Sequence, residues 1–461
     1  MSESLRGVCF TRGAAILAIL AGSLSGAIAD ESLPRYRLEP GQEFSYRGRS
    51  EFKYEGGKFL TGESWRVWVA RENPGGGWRL ILRQGQSFTQ VRDDDKRTEK
   101  PSDDENVTFA WCDLQPDGTF EANDSLGLRL DPAQILPRLP ANADEARTGW
   151  KVRNERMDET QVCRLREAPA DGKCEIEAVH ESPMNEIYGI ESRRVVTFDM
   201  ARGLPARFVL ENRQTYGFKG QGEGSLEFVE EPSHSADWVR EFLADAEKYF
   251  AAQGQYQKTL RRKDLSAENL KSALEDSVKK LEQAGEQIQT PELKKLLIDQ
   301  SAQRESYIKY AVDELAERAN LLGTPSEEWT TTDLSGRMHA LSDYRGKVVV
   351  LDFWYRGCGW CIRAMPQMKQ VAAHFEGRPV VVFGMNTDQK EEDAQFVIDK
   401  MGLTYPNLKA TGIPEKYKVS GFPTLVILDQ KGVIRDVHVG YSPTLREEVV
   451  KSVEGLLEEG G

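Results

Sequence analysis

The cysteine pair in Cys358-Gly359-Trp360-Cys361 most constrains how this chain can fold. It follows an apolar run, Val348 to Trp354, that is typical of a buried β-strand, and it precedes a helical pattern that contains Pro366. A cysteine that begins a helix lies against unpaired backbone N–H groups and the positive end of the helix dipole, and both favour the thiolate. Cys361 lies one turn further along, on the same side, where it can attack a mixed disulfide on Cys358. The spacing therefore predicts a strand-turn-helix frame for dithiol–disulfide exchange.

An acidic residue stands inside the predicted strand. Asp352 comes six positions before Cys358, where a carboxylate is costly and where burial raises its pKa. A raised pKa lets the carboxyl group exchange protons near neutral pH. We therefore expect Asp352 to accept the proton of Cys361.

A proline marks the start of a later strand. Gly421-Phe422-Pro423-Thr424 precedes the apolar run Leu425 to Leu428, at a position where the missing N–H of proline is tolerated. A cis bond before Pro423 would expose the backbone of Phe422 beside the cysteines.

From about Leu322 to its end, the last third of the chain resembles a thioredoxin-fold domain and is similar to the exported TlpA/ResA-like (redoxin) proteins. The resemblance rests on the Asp-Phe-Trp strand, the dithiol, Pro366, the Gly-Phe-Pro-Thr segment and the turn Asp429 to Gly432. It implies an α/β domain with helices on both faces of the sheet. It also implies Cys358 and Cys361 as a redox-active disulfide, substrate contacts at Trp360, Phe422 and Pro423, and no cofactor. Its implied partners are protein disulfides or dithiols and a membrane electron donor, with service to cytochrome c maturation.

Two positions depart from the family pattern and bear on the direction of electron flow. Gly357 stands where most relatives have tryptophan, and Trp360 stands where proline is common. An apolar side chain between the cysteines supplies neither a hydrogen bond nor a positive charge to the Cys358 thiolate, so the disulfide should not be extremely oxidising. We expect the reductase direction, and the oxidising direction remains open.

Other readings of the cysteine pair were weighed. A structural zinc site needs four ligands, whereas the five histidines are scattered and no second CxxC is present, so we expect no metal. A peroxidase of the same fold would have threonine or serine where Tyr355 stands. An envelope binding protein with an accessory redox domain is a further alternative.

The N-terminus has the pattern of a secretory signal peptide. Arg6 and Arg12 flank the start of an apolar run that ends in the small residues Ala27-Ile28-Ala29. We expect a signal peptide over residues 1–29, cleavage after Ala29, and a location in the periplasm or cell envelope. An uncleaved membrane anchor is the alternative. The net charge of −13, from 61 basic and 74 acidic residues, argues against nucleic-acid binding.

Three regions follow, and we predict a multidomain chain. Residues 30–232 should form an all-β domain, a curved antiparallel sheet or half-barrel, because apolar residues alternate on both sides of the turn Asn73 to Gly77. Within it, Cys163 and Cys174 bracket a turn-forming stretch, and export permits a structural disulfide between them. Residues 322–461 should form the thioredoxin-like domain.

Residues 233–321 have a helical period. Ser266 is a candidate N-cap, and Thr290-Pro291 begins a further helix. A helical linker, hairpin or small bundle fits this pattern. Its role is either that of a spacer between domains or that of an element for self-association or partner binding.

Overall fold

The computed structural model describes residues 33–93, 106–122, 130–154, 159–166, 172–217, 219–262, 264–299 and 301–459. The predicted signal peptide, residues 1–29, lies outside the described residues. Among the described residues, no helix combines the length and the apolar composition that a bilayer span requires.

Strands of the N-terminal part form a single antiparallel sheet. In the described chain they are β1 (Glu43–Tyr54), β2 (Gly57–Glu72), β3 (Trp78–Arg92), β4 (Asn106–Leu114), β5 (Phe120–Ala122), β6 (Trp150–Asn154), β7 (Glu159–Leu165), β8 (Lys173–Glu181), β9 (Ile190–Asp199), β10 (Leu204–Gln214) and β11 (Gly220–Glu230). The spatial order is β5-β4-β3-β2-β1-β11-β10-β9-β8-β7-β6. Two short helices lie in the connections, α1 (Ala143–Thr148) and α2 (Pro183–Tyr188). The prediction of a large antiparallel sheet is confirmed.

The two halves of this sheet share one apolar core. Val67 of β2 and Leu82 of β3 belong to the same buried cluster as Ile176 of β8 and Phe198 of β9. Strands so far apart in the sheet order can contribute to one core only if the sheet curves around it. This curvature leaves the opposite face of β2 to β4 to be covered by other elements.

The predicted disulfide between Cys163 and Cys174 is wrong. The β7–β8 hairpin forms, but its register places Cys163 opposite Ala178, four residues along β8 from Cys174. At about 3.3 Å per residue this offset is about 13 Å, whereas a disulfide needs Cα atoms within about 7 Å. Both residues are buried free thiols, and burial raises the pKa of each to about 12. Cys112 is a third buried free thiol.

Four helices pack against the outer face of the sheet. They are α3 (Ala236–Leu260), α4 (Ala267–Gln287), α5 (Pro291–Asp299) and α6 (Ser301–Leu321). Trp68 and Phe109 of the sheet share a buried cluster with Phe242 and Tyr249 of α3, and the ring centroids of Trp68 and Phe242 are 4.8 Å apart. The helical segment therefore completes the core of the sheet instead of standing apart from it.

Individual helix signals were found where the sequence placed them. The side chain of Ser266 accepts a hydrogen bond from the backbone N–H of Asn269 at the start of α4. The stretch that begins at Thr290-Pro291 is helical over Pro291–Asp299 and again over Ser301–Leu321. The guanidinium of Arg304 in α6 donates to the carbonyl groups of Leu296 and Leu297, near the end of α5.

The C-terminal part contains a mixed sheet between two apolar clusters. Its elements are β12 (Thr330–Thr332), β13 (Met338–Ala340), β14 (Val348–Trp354), α7 (Gly359–His374), β15 (Val380–Asn386), α8 (Glu391–Met401), β16 (Asn407–Lys409), β17 (Thr424–Leu428), β18 (Ile434–Val439) and α9 (Leu445–Glu459). The five-stranded sheet has the order β16-β15-β14-β17-β18, with β14 parallel to β15 and antiparallel to β17. Helices α7 and α9 cover one face. This arrangement confirms the predicted thioredoxin fold.

Candidate active site

The dithiol lies where the central strand passes into a helix. All seven residues of β14 are buried, and the chain then turns so that Cys358 becomes the N-cap of α7. The backbone N–H of Cys361 donates to the sulfur of Cys358 at 3.1 Å. The two Cα atoms are 5.2 Å apart, and the sulfurs are joined in a disulfide. This geometry places Cys358 at the positive end of the helix, as the sequence predicted.

The two sulfurs differ in their surroundings. Cys358 is 5% exposed and Cys361 is 2% exposed, because Cys361 faces into the domain from the first turn of α7. A thiolate on Cys358 would accept hydrogen bonds from the start of α7, which stabilises the charge. The roles of Cys358 as the attacking cysteine and of Cys361 as the resolving cysteine stay predictions.

Asp352 lies in the middle of this buried strand. Its side chain points to the same face of β14 as Val348 and Val350, the face that α7 covers. Burial raises the pKa of Asp352 to about 7, and the hydroxyl of Tyr405, which donates to it at 3.4 Å, opposes that rise. The other carboxylate oxygen has no hydrogen-bond partner in the described part of the chain. The group can therefore change protonation near neutral pH, and its role toward Cys361 stays a prediction.

Aromatic side chains surround the disulfide on its exposed side. The peptide bond between Phe422 and Pro423 is cis, and the ring of Phe422 meets that of Tyr355 edge-on at 5.1 Å. Trp360 is 38% exposed and stacks on Tyr441 with 5.5 Å between ring centroids. The structure packs Phe422, the residue before the cis-proline Pro423, against the cluster that contains both cysteines, and Trp360 stands between the cysteines in the chain. Their part in substrate binding stays a prediction.

Helix α2 of the N-terminal sheet also reaches the site, which the sequence analysis missed. Ile187 and Tyr188 belong to the buried cluster that contains Cys358, Cys361 and Trp354. Ser182, Pro183 and Gly189 stand at the N-cap, the first helical position and the C-cap of α2, and this pattern could have indicated a short helix. Nothing in the local sequence indicates the surface against which that helix packs.

Arg356 connects the two parts of the chain at this contact. Its guanidinium donates to the carboxylate of Asp393 at 2.8 Å and to the carbonyl of Ile187 at 2.9 Å. The same group lies over the rings of Tyr216 and Phe396, at 3.6 and 4.2 Å from their centroids. Arg356 therefore holds α2 against the redox domain as well as placing a positive charge near Cys358.

Metal-ligating residues do not cluster at this site. Within the described ranges, no group of three or more histidine, cysteine, aspartate or glutamate side chains is arranged to hold a metal ion.

A dithiol at the start of the helix that follows the central strand, beside a cis-proline segment, defines a thioredoxin-fold redox site. Comparison with known proteins agrees with this class. The AhpC/TSA family matches residues 322–437. The thioredoxin-like protein YneN of Bacillus subtilis is 36% identical over 121 residues, which cover 26% of this chain and 71% of YneN.

Further relatives match the same region. The thiol-disulfide oxidoreductase ResA of Geobacillus kaustophilus is 28% identical over 137 residues, covering 29% of this chain and 78% of ResA. The solved thioredoxin domain of a thiol-disulfide oxidoreductase from Bacteroides vulgatus is 28% identical, with a TM-score of 0.27, and covers 29% of this chain and 97% of that domain. Through its C-terminal domain, the chain belongs to the thioredoxin-like thiol–disulfide oxidoreductases of the AhpC/TSA (redoxin) family.

Proposed function

We propose that this protein exchanges disulfides with polypeptide partners through Cys358 and Cys361, in the reducing direction. The observation that carries the proposal is the position of the Cys358 sulfur, which accepts a hydrogen bond from the N–H of Cys361 at the start of α7. That environment favours a thiolate at the outer cysteine and leaves the inner cysteine as the resolving group.

Electron transfer takes two exchange steps. The Cys358 thiolate attacks one sulfur of the partner disulfide, so the partner S–S bond breaks, one partner thiolate leaves and a mixed disulfide forms. Cys361 then loses its proton to Asp352, and its thiolate attacks the sulfur of Cys358. The mixed disulfide breaks, the second partner thiolate leaves, and the intramolecular disulfide is restored. Two electrons pass from the dithiol to the partner, which takes up two protons.

Turnover with a protein disulfide tests this proposal. Reduction of insulin driven by dithiothreitol should require both cysteines, so Cys358→Ser and Cys361→Ser should each lose the catalysed rate. The matched control is Cys174→Ser, which removes a buried thiol of the N-terminal sheet and should keep that rate. A Cys358→Ser chain that is as active as the parent would contradict the proposal.

The direction of electron flow is tested separately. Trp360 carries no positive charge, and its ring stacks on that of Tyr441, so the disulfide should be only moderately oxidising. Equilibration of the full chain with mixtures of reduced and oxidised glutathione should show the dithiol becoming oxidised in a strongly oxidising mixture. A dithiol that stays reduced there would reverse the proposed direction and leave the exchange chemistry intact.

We further propose that the protein acts in the periplasm or cell envelope, after removal of residues 1–29. The N-terminal pattern of two arginines, an apolar run and small residues supports export. A membrane electron donor and service to cytochrome c maturation are extensions of the family resemblance. Sequencing the N-terminus of the protein recovered from its source cell tests the first step, and Asp30 is the expected first residue.

Two rival functions have distinct outcomes. A peroxidase would consume hydrogen peroxide at a rate set by Cys358 alone, so Cys361→Ser would retain the first turnover. A binding protein with an accessory redox domain would keep its phenotype when both cysteines are replaced. The described site has Tyr355 where a peroxidase would have threonine or serine.

Self-association through the helical segment remains a prediction. Helix α6 leaves the side chain of Tyr310 exposed, on a surface that a second copy could cover. Sedimentation velocity of the full chain tests this idea, since a dimer has twice the chain mass of 52.0 kDa, less any cleaved signal peptide.

A further inference from the structure

Cys358 lies between two glycines, and another side chain occupies the space beside each of them. A Cβ atom on Gly357 would lie 2.8 Å from the ring of Tyr355, and one on Gly359 would lie 2.7 Å from the terminal methyl of Met184. Neither glycine has a positive φ, so the two positions are distinguished by the close approach of a side chain and not by their backbone conformation. Because Met184 belongs to α2, the side chain that approaches the glycine between the cysteines comes from the N-terminal domain.

Three residues of α2 form a wall beside Cys358. This α2 wall consists of Met184, Ile187 and Tyr188. Ile187 is fully buried, and its carbonyl accepts from Arg356. An ion pair between Lys400 and Glu186, at 3.2 Å, holds the outer end of α2 to α8.

The hydroxyl group of Tyr188 is a buried polar group within the α2 wall. The residue is 9% exposed, and its hydroxyl has no hydrogen-bond partner among the residues that the structure describes. That hydroxyl lies 3.9 Å from the position of a Cβ on Gly359. Burial raises the pKa of Tyr188 to about 12, with Tyr355 and Tyr216 adding to the rise and Arg356 and Arg363 opposing it. The group is thus a neutral donor that borders the disulfide.

Two exposed aromatic side chains, Tyr355 and Trp360, stand within three residues of Cys358 in the chain, and the ring of Phe422 meets that of Tyr355 edge-on. A partner sulfur must meet Cys358, so the residues on both sides of the partner cysteine must lie against the groups that border Cys358, among them the α2 wall. An extended polypeptide segment presents both side chains and backbone carbonyl groups to such a surface.

We infer that the α2 wall is part of the substrate site, and that Met184 and Tyr188 favour an extended polypeptide disulfide over a small one. The inference rests on the proposed function and adds a contribution from the N-terminal domain. The flexible thioether of Met184 can adapt to different apolar side chains. The unpartnered hydroxyl of Tyr188 can donate to a backbone carbonyl of the partner, which would satisfy a buried polar group.

The test compares two disulfides on the full chain. One is a peptide with an internal disulfide flanked by apolar residues, and the other is 2-hydroxyethyl disulfide, which has no peptide backbone. The measured quantity is the ratio of kcat/KM for the peptide to kcat/KM for the small disulfide. Met184→Ala should lower this ratio about tenfold, and Tyr188→Phe should lower it about threefold. Met184→Leu should restore most of the ratio.

Met200→Ala is the matched control, because it truncates a partly buried methionine that packs on the sheet core near Cys174. It should leave the ratio unchanged. The inference would be overturned if substitution of Met184 and Tyr188 left the ratio unchanged. It would also be overturned if truncation raised the rate for both disulfides. A parent chain that exchanges neither disulfide would instead contradict the proposed function. If Met184→Ala does not fold, Tyr188→Phe decides the matter alone.

Discussion

Cys358 and Cys361 have the same side chain but different positions in the first turn of α7. The sulfur of Cys358 accepts a hydrogen bond from the N–H of Cys361, and Cys361 is a buried residue in the first turn of α7. Hydrogen-bond donors stabilise a thiolate, and burial without such donors destabilises it. The two positions therefore give the two thiolates different stabilities. Nucleophile and resolving cysteine are therefore distinguished by the helix and not by their own chemistry.

We predict that reduced Cys358 reacts with iodoacetamide faster than Cys361 by at least about tenfold at pH 7. The reason is the thiolate at Cys358, which the backbone N–H of Cys361 at the start of α7 stabilises. Peptide mapping of briefly labelled protein measures both sites in one experiment. Equal and slow labelling of the two cysteines would contradict the assignment.

Asp352→Asn should slow resolution of the mixed disulfide by about 10²-fold at pH 7, with little change in the initial attack. The parent should also lose resolution rate as the pH falls through about 7, because the carboxyl group is then protonated and cannot accept the proton of Cys361. Stopped-flow measurement separates the two phases. Matching rates for variant and parent in both phases would remove Asp352 from the mechanism.

The same carboxyl group should make stability depend on pH. Its pKa rises from 3.8 to about 7 on folding, so the native state holds a proton that the unfolded state releases between pH 4 and 7. The free energy of unfolding should therefore fall as the pH rises through that window. Between pH 4 and pH 8, the free energy of unfolding of Asp352→Asn should rise by up to about 4 kcal/mol relative to that of the parent. Urea unfolding at several pH values measures both free energies. Parallel pH profiles for the variant and the parent would contradict the prediction.

The sequence predicted those parts of the site that lie within one domain. Cys358, Asp352 and Pro423 were found because each stands at a fixed place relative to a strand or helix with a clear local period. Tyr188 and Met184 were missed because they come from a strand connection about 170 residues earlier in the chain. Local periodicity indicates that a short helix forms there, but not which distant surface buries it.

At the level of elements, strand existence was easier to predict than strand register. The β7–β8 hairpin formed as expected, but Cys163 pairs with Ala178 and not with Cys174. Register depends on which residues of both strands face the core, and Leu165, Ile176 and both cysteines all do. The spacing of two cysteines around a turn does not contain that information.

One buried carboxylate ties the helices together. Asp245 of α3 accepts hydrogen bonds from the backbone N–H groups of Gln289 and Thr290, both at 2.8 Å, and from the hydroxyl of Thr290 at 2.9 Å. These bonds fix the start of α5 against α3, because the first N–H groups of a helix have no partner within it.

We predict that Asp245→Ala lowers the free energy of unfolding by about 2 to 3 kcal/mol, since it leaves those donors without their charged acceptor. Chemical unfolding followed by circular dichroism measures the change. Glu247→Gln, an exposed position on the same helix, is the control and should change stability by less than about 0.5 kcal/mol. A similar loss for both variants would argue against a specific role for Asp245.

In the whole molecule, the sheet, the helical segment and the redox domain bury parts of one another's surfaces. The helices α3 to α6 cover the outer face of β2 to β4, and α2 of the sheet covers one side of the dithiol. The three predicted regions follow from changes in hydrophobic period along the chain. Their mutual packing could not be predicted, because it depends on contacts between residues that are distant in sequence and that show no shared pattern.

The central claim is that Cys358 forms a covalent mixed disulfide with a partner and that Cys361 releases it. The most direct test incubates the full-length Cys361→Ser variant with an oxidised peptide and measures the intact mass and the linked position. The account predicts one peptide per chain, joined to Cys358. It predicts no adduct on the double variant that carries both Cys358→Ser and Cys361→Ser. No adduct, or one joined instead to Cys112, Cys163 or Cys174, would contradict the account.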